Sequence, residues 1–569
     1  MPAAWRRSGL VPAILALMFL AAACWTAVPV FAAQAGHKKI LAATPPMGWN
    51  DWAHYQCGYT AKTILDNAHA LVSTGLAALG YDTVTIDDCW MQKDRAANGN
   101  LQVDRQRFPN GMKPVADAVH KLGLKFGIYE DSGSATCGGF AGSGVPQGGG
   151  QSHFLQDAKL FASWGVDYLK LDGCNVYAYP GETEEQAYRN AYAAEHEALQ
   201  KVGRPIVFSE SAPAYFQGTP DWYTVLSWAK HYGQLWREGS DISTYHAHPI
   251  PARFRRRFPR FTRFQSVLWN YSYNLPLGRF QEPGNWNDAD FIIGGDHGLS
   301  LAESRSQLAL WSMMSAPLIL SDDLPEVSPQ AIAILGNKAV LAIDQDPLGR
   351  MATLVRRTPE TDVLFKRLAS GDDAVAVLNR SEAPVKVDLH PAEFGFAANS
   401  ACTLDAKDLW NGKDQSSVST LQAEVASHDT IIWRIQASSQ CGKPARTGTI
   451  TMITNQRRHR DIQGYARCLA APGSVGECTG AASQSWTFTR QGALRSGDQC
   501  MAVVDGKPVL EACRPESAQH WRYTLQGNLI NNGNLQCLTA AGPESEPQSL
   551  QMQVCGHNIA TQIWSLPNK

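Results

Sequence analysis

Between about residues 44 and 346, short apolar runs rich in β-forming residues alternate with helical stretches, and this alternation restricts the fold more than any other feature of the chain. Strand character falls on 82–88, 125–131, 167–172, 205–211, 234–241 and 317–322, and helical character on 61–79, 115–122, 154–164, 184–202 and 301–314. Alternation sustained over some 300 residues implies a parallel sheet and predicts a (β/α)8 barrel over 40–348. A doubly wound sheet is the alternative, but no Gly-x-Gly-x-x-Gly follows the first strand to support it.

The predicted strands end in polar residues. Asp87 and Asp88 close one, Tyr129 and Asp131 the next, then Asp172, and later Arg237 and Asp241. Buried charge is costly unless paired, so acids repeated at one edge of successive strands are poor core material. In a closed barrel they converge on one mouth and suit a hydroxyl-rich ligand. The sharpest case is Tyr168-Leu169-Lys170-Leu171-Asp172-Gly173-Cys174, an apolar strand stopping at an acid. On its own, Asp172 could equally cap the following helix.

Outside the barrel the chain changes character. Short strands at 354–356, 362–368, 374–378, 385–389 and 430–435 predict an antiparallel β-sandwich over 349–438, and a Ser/Gly/Thr-rich linker follows at 439–449. Over 450–569, Gln-x-Trp recurs at Gln484-Ser485-Trp486, Gln519-His520-Trp521 and Gln562-Ile563-Trp564. Each copy follows a cysteine pair: Cys468 with Cys478, Cys500 with Cys513, Cys537 with Cys555. A period near 40 residues seen three times implies one unit repeated about an axis.

At the N-terminus, Arg6 and Arg7 precede an apolar run from 10 to 30, and Ala33-Gln34-Ala35 fits signal-peptidase cleavage. Residues 1–35 are therefore expected to be a signal peptide; a membrane anchor, or a lipoprotein site at Cys24, is the alternative. Export leaves twelve of the thirteen cysteines, an even number that suits disulfides. No Cys-x-x-Cys or histidine cluster suggests a metal, and a net charge of −2 gives no reason to expect nucleic acid. The stretch 253–264, which interleaves arginine with phenylalanine, reads either as a basic binding patch or as an extension over the barrel rim.

Seven ordered motifs then carry a specific resemblance. Thr44-Pro45-Pro46-Met47-Gly48-Trp49-Asn50-Asp51-Trp52, Ile86-Asp87-Asp88-Cys89-Trp90, Gly127-Ile128-Tyr129 and Lys170-Leu171-Asp172-Gly173-Cys174 are similar to motifs of glycoside hydrolase family 27. So are Trp236-Arg237 leading to Asp241, Trp286-Asn287-Asp288, and the run from Ile343 to Gly349. The resemblance covers about 44–435, and the C-terminal repeat resembles ricin-type β-trefoil lectins.

The resemblance implies a retaining exo-glycosidase without a cofactor, with Asp172 as nucleophile and Asp241 as acid/base. Lys170, on the same strand face as Asp172, favours its ionised form. Asp87, Asp88, Lys170 and Arg237 match partners of sugar hydroxyls, and Trp49, Trp52 and Tyr129 match residues lining the sugar's apolar faces. It also implies the pairs Cys57 with Cys89 and Cys137 with Cys174; Cys402 with Cys441 is then the remainder by elimination. A third family disulfide is absent, its positions reading Glu210 and Gly233.

Ser211 and Ala214 match the N-acetylgalactosaminidase pattern, where galactosidases of animal type carry glutamate and leucine, and Glu210 is the neighbour able to refill that space. Hydrolysis of α-linked galactose is the expected activity, α-N-acetylgalactosamine and another glycan such as dextran are the alternatives, and a catalytically inactive sugar-binding protein is the reading from another class. In the trefoil, sugar-holding aspartates are replaced by Ala470, Ala502 and Thr539, with Asp505 and Glu511 as the nearby acids.

Overall fold

The computed structural model describes residues 40–242, 262–295, 298–453, 466–544 and 547–568. The expected signal peptide and most of the Arg/Phe stretch lie outside the described residues. Eight parallel strands form the first sheet: β1 (Met47–Asn50), β2 (Thr83–Ile86), β3 (Lys125–Asp131), β4 (Tyr168–Asp172), β5 (Val207–Glu210), β6 (Leu235–Arg237), β7 (Trp286–Asp288) and β8 (Leu318–Leu320). From β1 to β7 each strand pairs with the next, and β1 also pairs with β8. Ile292, just past β7, bridges Leu320 and closes the barrel.

Strand register decides which side chains enter the barrel, because partners in a parallel ladder share a face. Tyr129 aligns with Lys170, Lys170 with Ser209, Ser209 with Leu235 and Arg237 with Asp288. Tyr168, Leu235 and Trp286 form one apolar cluster with Val207, which plugs the barrel's interior near the strand starts. Lys170, Arg237 and Asp288 lie one step further along, and Asp172 and Asp131 further still. The interior thus runs from apolar to charged toward the C-terminal ends, the end where barrel enzymes place their chemistry.

The helix at Phe154–Trp164 shows how the outer layer is set: Phe154, Ala158 and Phe161 recur at helical spacing and are buried, and Gly165 ends the helix at φ 87°. The sandwich pairs a six-stranded sheet with the two-stranded ladder of Val385–Leu389 and Leu421–Val425. Between sandwich and barrel, Tyr271 donates to Asp362 (3.0 Å), and buried Lys366 donates to Ser312 O, Ser315 Oγ and Ile343 O. The 439–449 stretch is bound rather than free. Cys441 is buried, Ala445 N donates to Gly395 O, and Thr447 pairs with Thr487 of the trefoil.

The trefoil explains its own repeat. Each repeat glutamine accepts from the backbone N–H just after its second cysteine: Thr479 to Gln484 (2.8 Å), Arg514 to Gln519 (2.7 Å) and Gly556 to Gln562 (3.0 Å). Each repeat tryptophan is buried and donates its indole N–H to the carbonyl just after the first cysteine: Trp486 to Leu469, Trp521 to Met501 and Trp564 to Leu538. Gln-x-Trp therefore clamps both ends of each disulfide-bounded hairpin.

Six disulfides join Cys57 to Cys89, Cys137 to Cys174, Cys402 to Cys441, Cys468 to Cys478, Cys500 to Cys513 and Cys537 to Cys555. No helix among the described residues is long and apolar enough to cross a membrane.

Candidate active site

Asp172 ends β4 with a partly exposed carboxylate held by three donors. Tyr215 donates to Oδ1 at 2.6 Å, the Gly173 N–H to Oδ1 at 2.9 Å and Tyr129 to Oδ2 at 3.2 Å. Lys170, two residues earlier, donates to Asp87 at 2.7 Å. Burial works against the ammonium's charge, yet Asp87 and Asp172 outweigh it and the Lys170 pKa is raised. A fixed cation thus stands beside Asp172, and three donors converge on its carboxylate.

Asp87 and Asp88 are both buried past the end of β2. Asp87 also accepts from Asn50 at 2.7 Å, and its N–H donates to Asp51. Asp88 accepts from the Cys89 and Gly138 amides, both at 2.7 Å, so it links the loops of the two barrel disulfides. Cys89 sits at φ 80°, a conformation that non-glycine residues adopt only under constraint, and the cysteine bridge with the Asp88 contact supplies it. Burial raises the Asp88 carboxyl above its ordinary range.

Asp241 follows β6 and presents a carboxylate that is 67% exposed. Its neighbours are pinned on both sides. Trp269 and Tyr273, from the helix Arg263–Asn274, hold Ser240 at 2.9 Å each, and the Ile242 N–H donates to Asp290 at 2.7 Å. Arg237 then bridges Asp241 (2.9 Å) and Asp290 (3.1 Å) with one nitrogen. Burial pushes Asp290 up to about 6, against the pull of Arg237 and with added repulsion from Asp241. Asp288 lies between the two groups: burial raises it, while Arg237 and Lys170 both favour its charged form. The Asp87–Lys170–Asp172 network and the Arg237–Asp241–Asp290 network therefore share one mouth.

One expected lining residue is not there. Trp49 aligns with Val84 and Leu320, the opposite face from the inward residues, is wholly buried, and donates its indole N–H to Asp322 O at 2.8 Å. It packs the barrel wall, because one step along a strand reverses the side. Trp52 is only partly buried and begins the short helix Trp52–Tyr55 at the end of β1. Tyr129 reaches the site through its hydroxyl, with Lys170 5.3 Å above its ring.

Ser211 follows β5, on the inward side set by Ser209, and Ala214 is partly exposed in the turn of helix Ala212–Phe216. Glu210 does not refill the space near them. It aligns with Trp236, faces outward, and lies against Gly233, where a Cβ would come within 2.6 Å of its carboxylate. Glu210 and Gly233, the two positions where the resemblance implies a further disulfide in relatives, thus pack against each other. Burial pushes the Glu210 carboxyl well above its ordinary range.

Sequence reading placed Asp131 at the mouth but missed Tyr215, Asn50, Asp51, Asp288 and Asp290 as members of the site. Asp131 aligns with Asp172 and accepts from the Gly133 and Cys174 amides. Its position two residues after Tyr129 on the same strand puts it on the inward face, as its place at the strand end implies. Asp131, Asp172, Cys137 and Cys174 lie together, but both sulfurs are committed to a disulfide, so no thiolate ligand exists there.

Comparison with known proteins decides the family. The model described as alpha galactosidase A matches residues 44–346. Alpha-galactosidase A of Aspergillus niger is 39% identical over 538 residues, covering 93% of this chain and 92% of that one. This chain belongs to the alpha-galactosidase A family of glycoside hydrolases. Two further models match the rest: the alpha galactosidase C-terminal beta sandwich domain at 358–435 and the ricin-type beta-trefoil lectin domain at 450–564. Alpha-N-acetylgalactosaminidase of Gallus gallus is 36% identical over 398 residues, covering 67% of this chain and 89% of that one. The crystal structure of alpha-galactosidase I from Mortierella vinacea superposes with a TM-score of 0.59 at 29% identity, over 70% of this chain and 98% of that one.

Proposed function

We propose that the protein is a secreted exo-glycosidase that removes terminal α-linked galactose from oligosaccharides or glycoconjugates by double displacement. The observation that carries the reading is Asp172, a carboxylate with three donors and a neighbouring ammonium at the mouth of a barrel. Asp172 attacks C1 while Asp241 gives its proton to the leaving oxygen, so the glycosidic bond breaks as a covalent glycosyl ester forms. Asp241 then takes a proton from water, whose oxygen attacks C1 and releases Asp172, leaving the sugar with its original configuration. Asp87, Asp88, Lys170 and Arg237 hold hydroxyls. Tyr129 and Tyr215 keep the Asp172 carboxylate in one orientation. Six disulfides and the expected leader support an oxidising, extracytoplasmic location.

One observation favours a second reading, release of α-linked N-acetylgalactosamine: Glu210 faces away, so the room left by Ser211 and Ala214 is not refilled from that side. Hydrolysis of nitrophenyl α-galactoside, α-N-acetylgalactosaminide and α-glucoside separates these readings. The galactoside is expected to give the highest kcat/KM. In Ser211→Glu/Ala214→Leu the ratio of galactoside to N-acetylgalactosaminide should rise by roughly 10²-fold, from steric exclusion plus an added hydrogen bond. A wild type inactive on both galacto-sugars would defeat the proposal and promote a glucan.

A further inference from the structure

Away from the barrel mouth, a cleft of about 760 Å³ opens where the end of the barrel, the sandwich and the trefoil meet. That volume lies in the range of small-molecule sites, ~300–1,000 Å³. Of the seven cations that line it, Arg367 pairs with Asp373 and Lys366 is bonded to Ser312, Ser315 and Ile343; the other five are Arg350, Lys443, Arg446, Arg490 and Arg495, and no aspartate or glutamate lines it among the described residues. None of these five cations forms an ion pair with a described carboxylate, although elsewhere on the surface Lys62, Lys113 and Lys201 each pair with an acid four residues away. Arg446 stacks 5.1 Å over the Phe488 ring and donates to Pro567 O. Burial holds its guanidinium below its ordinary value, as expected of a cation that has lost water without gaining a carboxylate. Thr447 and Thr487 add a hydrogen-bonded hydroxyl pair to the same wall.

A cleft with one sign of charge focuses its field and concentrates counter-ions. Arginine forks match planar or tetrahedral oxyanions, and the threonine hydroxyls match sugar hydroxyls. The molecule's net charge of −2 makes the local excess a property of this cleft and not of the whole surface. We propose that the sandwich–trefoil cleft is a binding site for an acidic oligosaccharide, one bearing carboxylate or sulfate groups, separate from the catalytic mouth. It would hold the enzyme on acid-bearing glycans. The trefoil's own sugar-holding positions do not supply this: Ala470 and Ala502 have no polar atom, and the buried Thr539 hydroxyl is already bonded to Cys537 O and Gln562.

The test is calorimetric titration of the full-length protein at low salt with tetragalacturonate, a sulfated galactan tetramer and a fully methyl-esterified tetragalacturonate. At least one acidic tetramer should bind, the tighter one naming the anion, and the esterified one should not. The triple variant Lys443→Gln/Arg490→Gln/Arg495→Gln should weaken binding at least tenfold, with turnover of nitrophenyl α-galactoside unchanged. Lys62→Gln/Lys113→Gln/Lys201→Gln, of equal net charge, should change binding less than twofold. Equal losses in the two triples, equal binding of the esterified tetramer, tighter binding of a single-stranded DNA oligomer, or no binding would each overturn the proposal.

Discussion

In the trefoil, the glutamine and tryptophan of all three repeats find backbone partners, whereas at the barrel mouth Asp51 and Asp290 each keep a buried carboxylate oxygen unpartnered, as does Arg237 its Nε. Both regions bury polar groups, and an unsatisfied one costs ~1–3 kcal/mol, more when charged. The Gln-x-Trp clamps remove that cost within the trefoil's own backbone. The barrel leaves it standing in the groups that hold Asp87 and Asp241 in place, Asp51 through the Asp87 N–H and Asp290 through Arg237. Among the described residues such atoms also occur away from the mouth, as at Glu195, Asp344 and Gln548, so the contrast lies between these two sets of residues and not between whole domains.

If that contrast is right, the same kind of substitution has opposite readouts in the two regions. Asp172→Asn and Asp241→Asn should each lower kcat by at least ~10²-fold with little change in Tm. Trp521→Ala, in the trefoil core, should cost ~3–5 kcal/mol of stability, read as a lower unfolding midpoint in denaturant, while the folded enzyme keeps its kcat. Should Trp521→Ala abolish turnover in protein shown to be folded, the trefoil would not be a scaffold apart from the site. Tyr215→Phe removes one charge-assisted bond to Asp172, worth ~1.5–3 kcal/mol, and should lower kcat by about ten- to a hundredfold without unfolding the chain.

Glu210 gives the smallest effect and sharpens the comparison, because it is a buried acid outside both regions' logic. Its pKa is raised on folding, so the folded state prefers the protonated form. That preference costs nothing below the ordinary carboxylate range, and stability is lost as pH rises toward the raised value. Glu210→Gln should therefore flatten the fall in Tm with rising pH, leaving the two proteins alike at low pH. A Tm difference independent of pH would show that packing on Gly233, not charge, is what the residue contributes.

Much of this was legible in the sequence, for reasons that can be stated residue by residue. The strand at Lys125–Asp131 and the helices at Phe154–Trp164 and Leu301–Met314 match their expected bounds, since each has a full run of its period. β1 and β7 were not read as strands: Met-Gly-Trp-Asn and Trp-Asn-Asp are short and half polar, with no flanking apolar run of the kind that marks β2 and β8. Trp49 was misplaced because an aromatic beside a motif says nothing about strand face, which the register with Val84 decides. Tyr215 was missed because it reaches Asp172 from the turn after another strand, 43 residues along, a distance no local spacing encodes. The linker composition at 439–449 was real, but its backbone is taken up by Gly395 and Thr487, partners that are remote in sequence.

In the proposed double displacement, Asp172 forms the bond to the sugar. Turnover of a 2-deoxy-2-fluoro α-galactoside with an activated leaving group, which slows release of the intermediate, can be stopped by acid and the protein digested. One fluorosugar mass is expected on the peptide that carries Asp172, and none after the same treatment of Asp172→Asn. A label on another carboxylate with the Asp172 peptide unmodified would contradict that role.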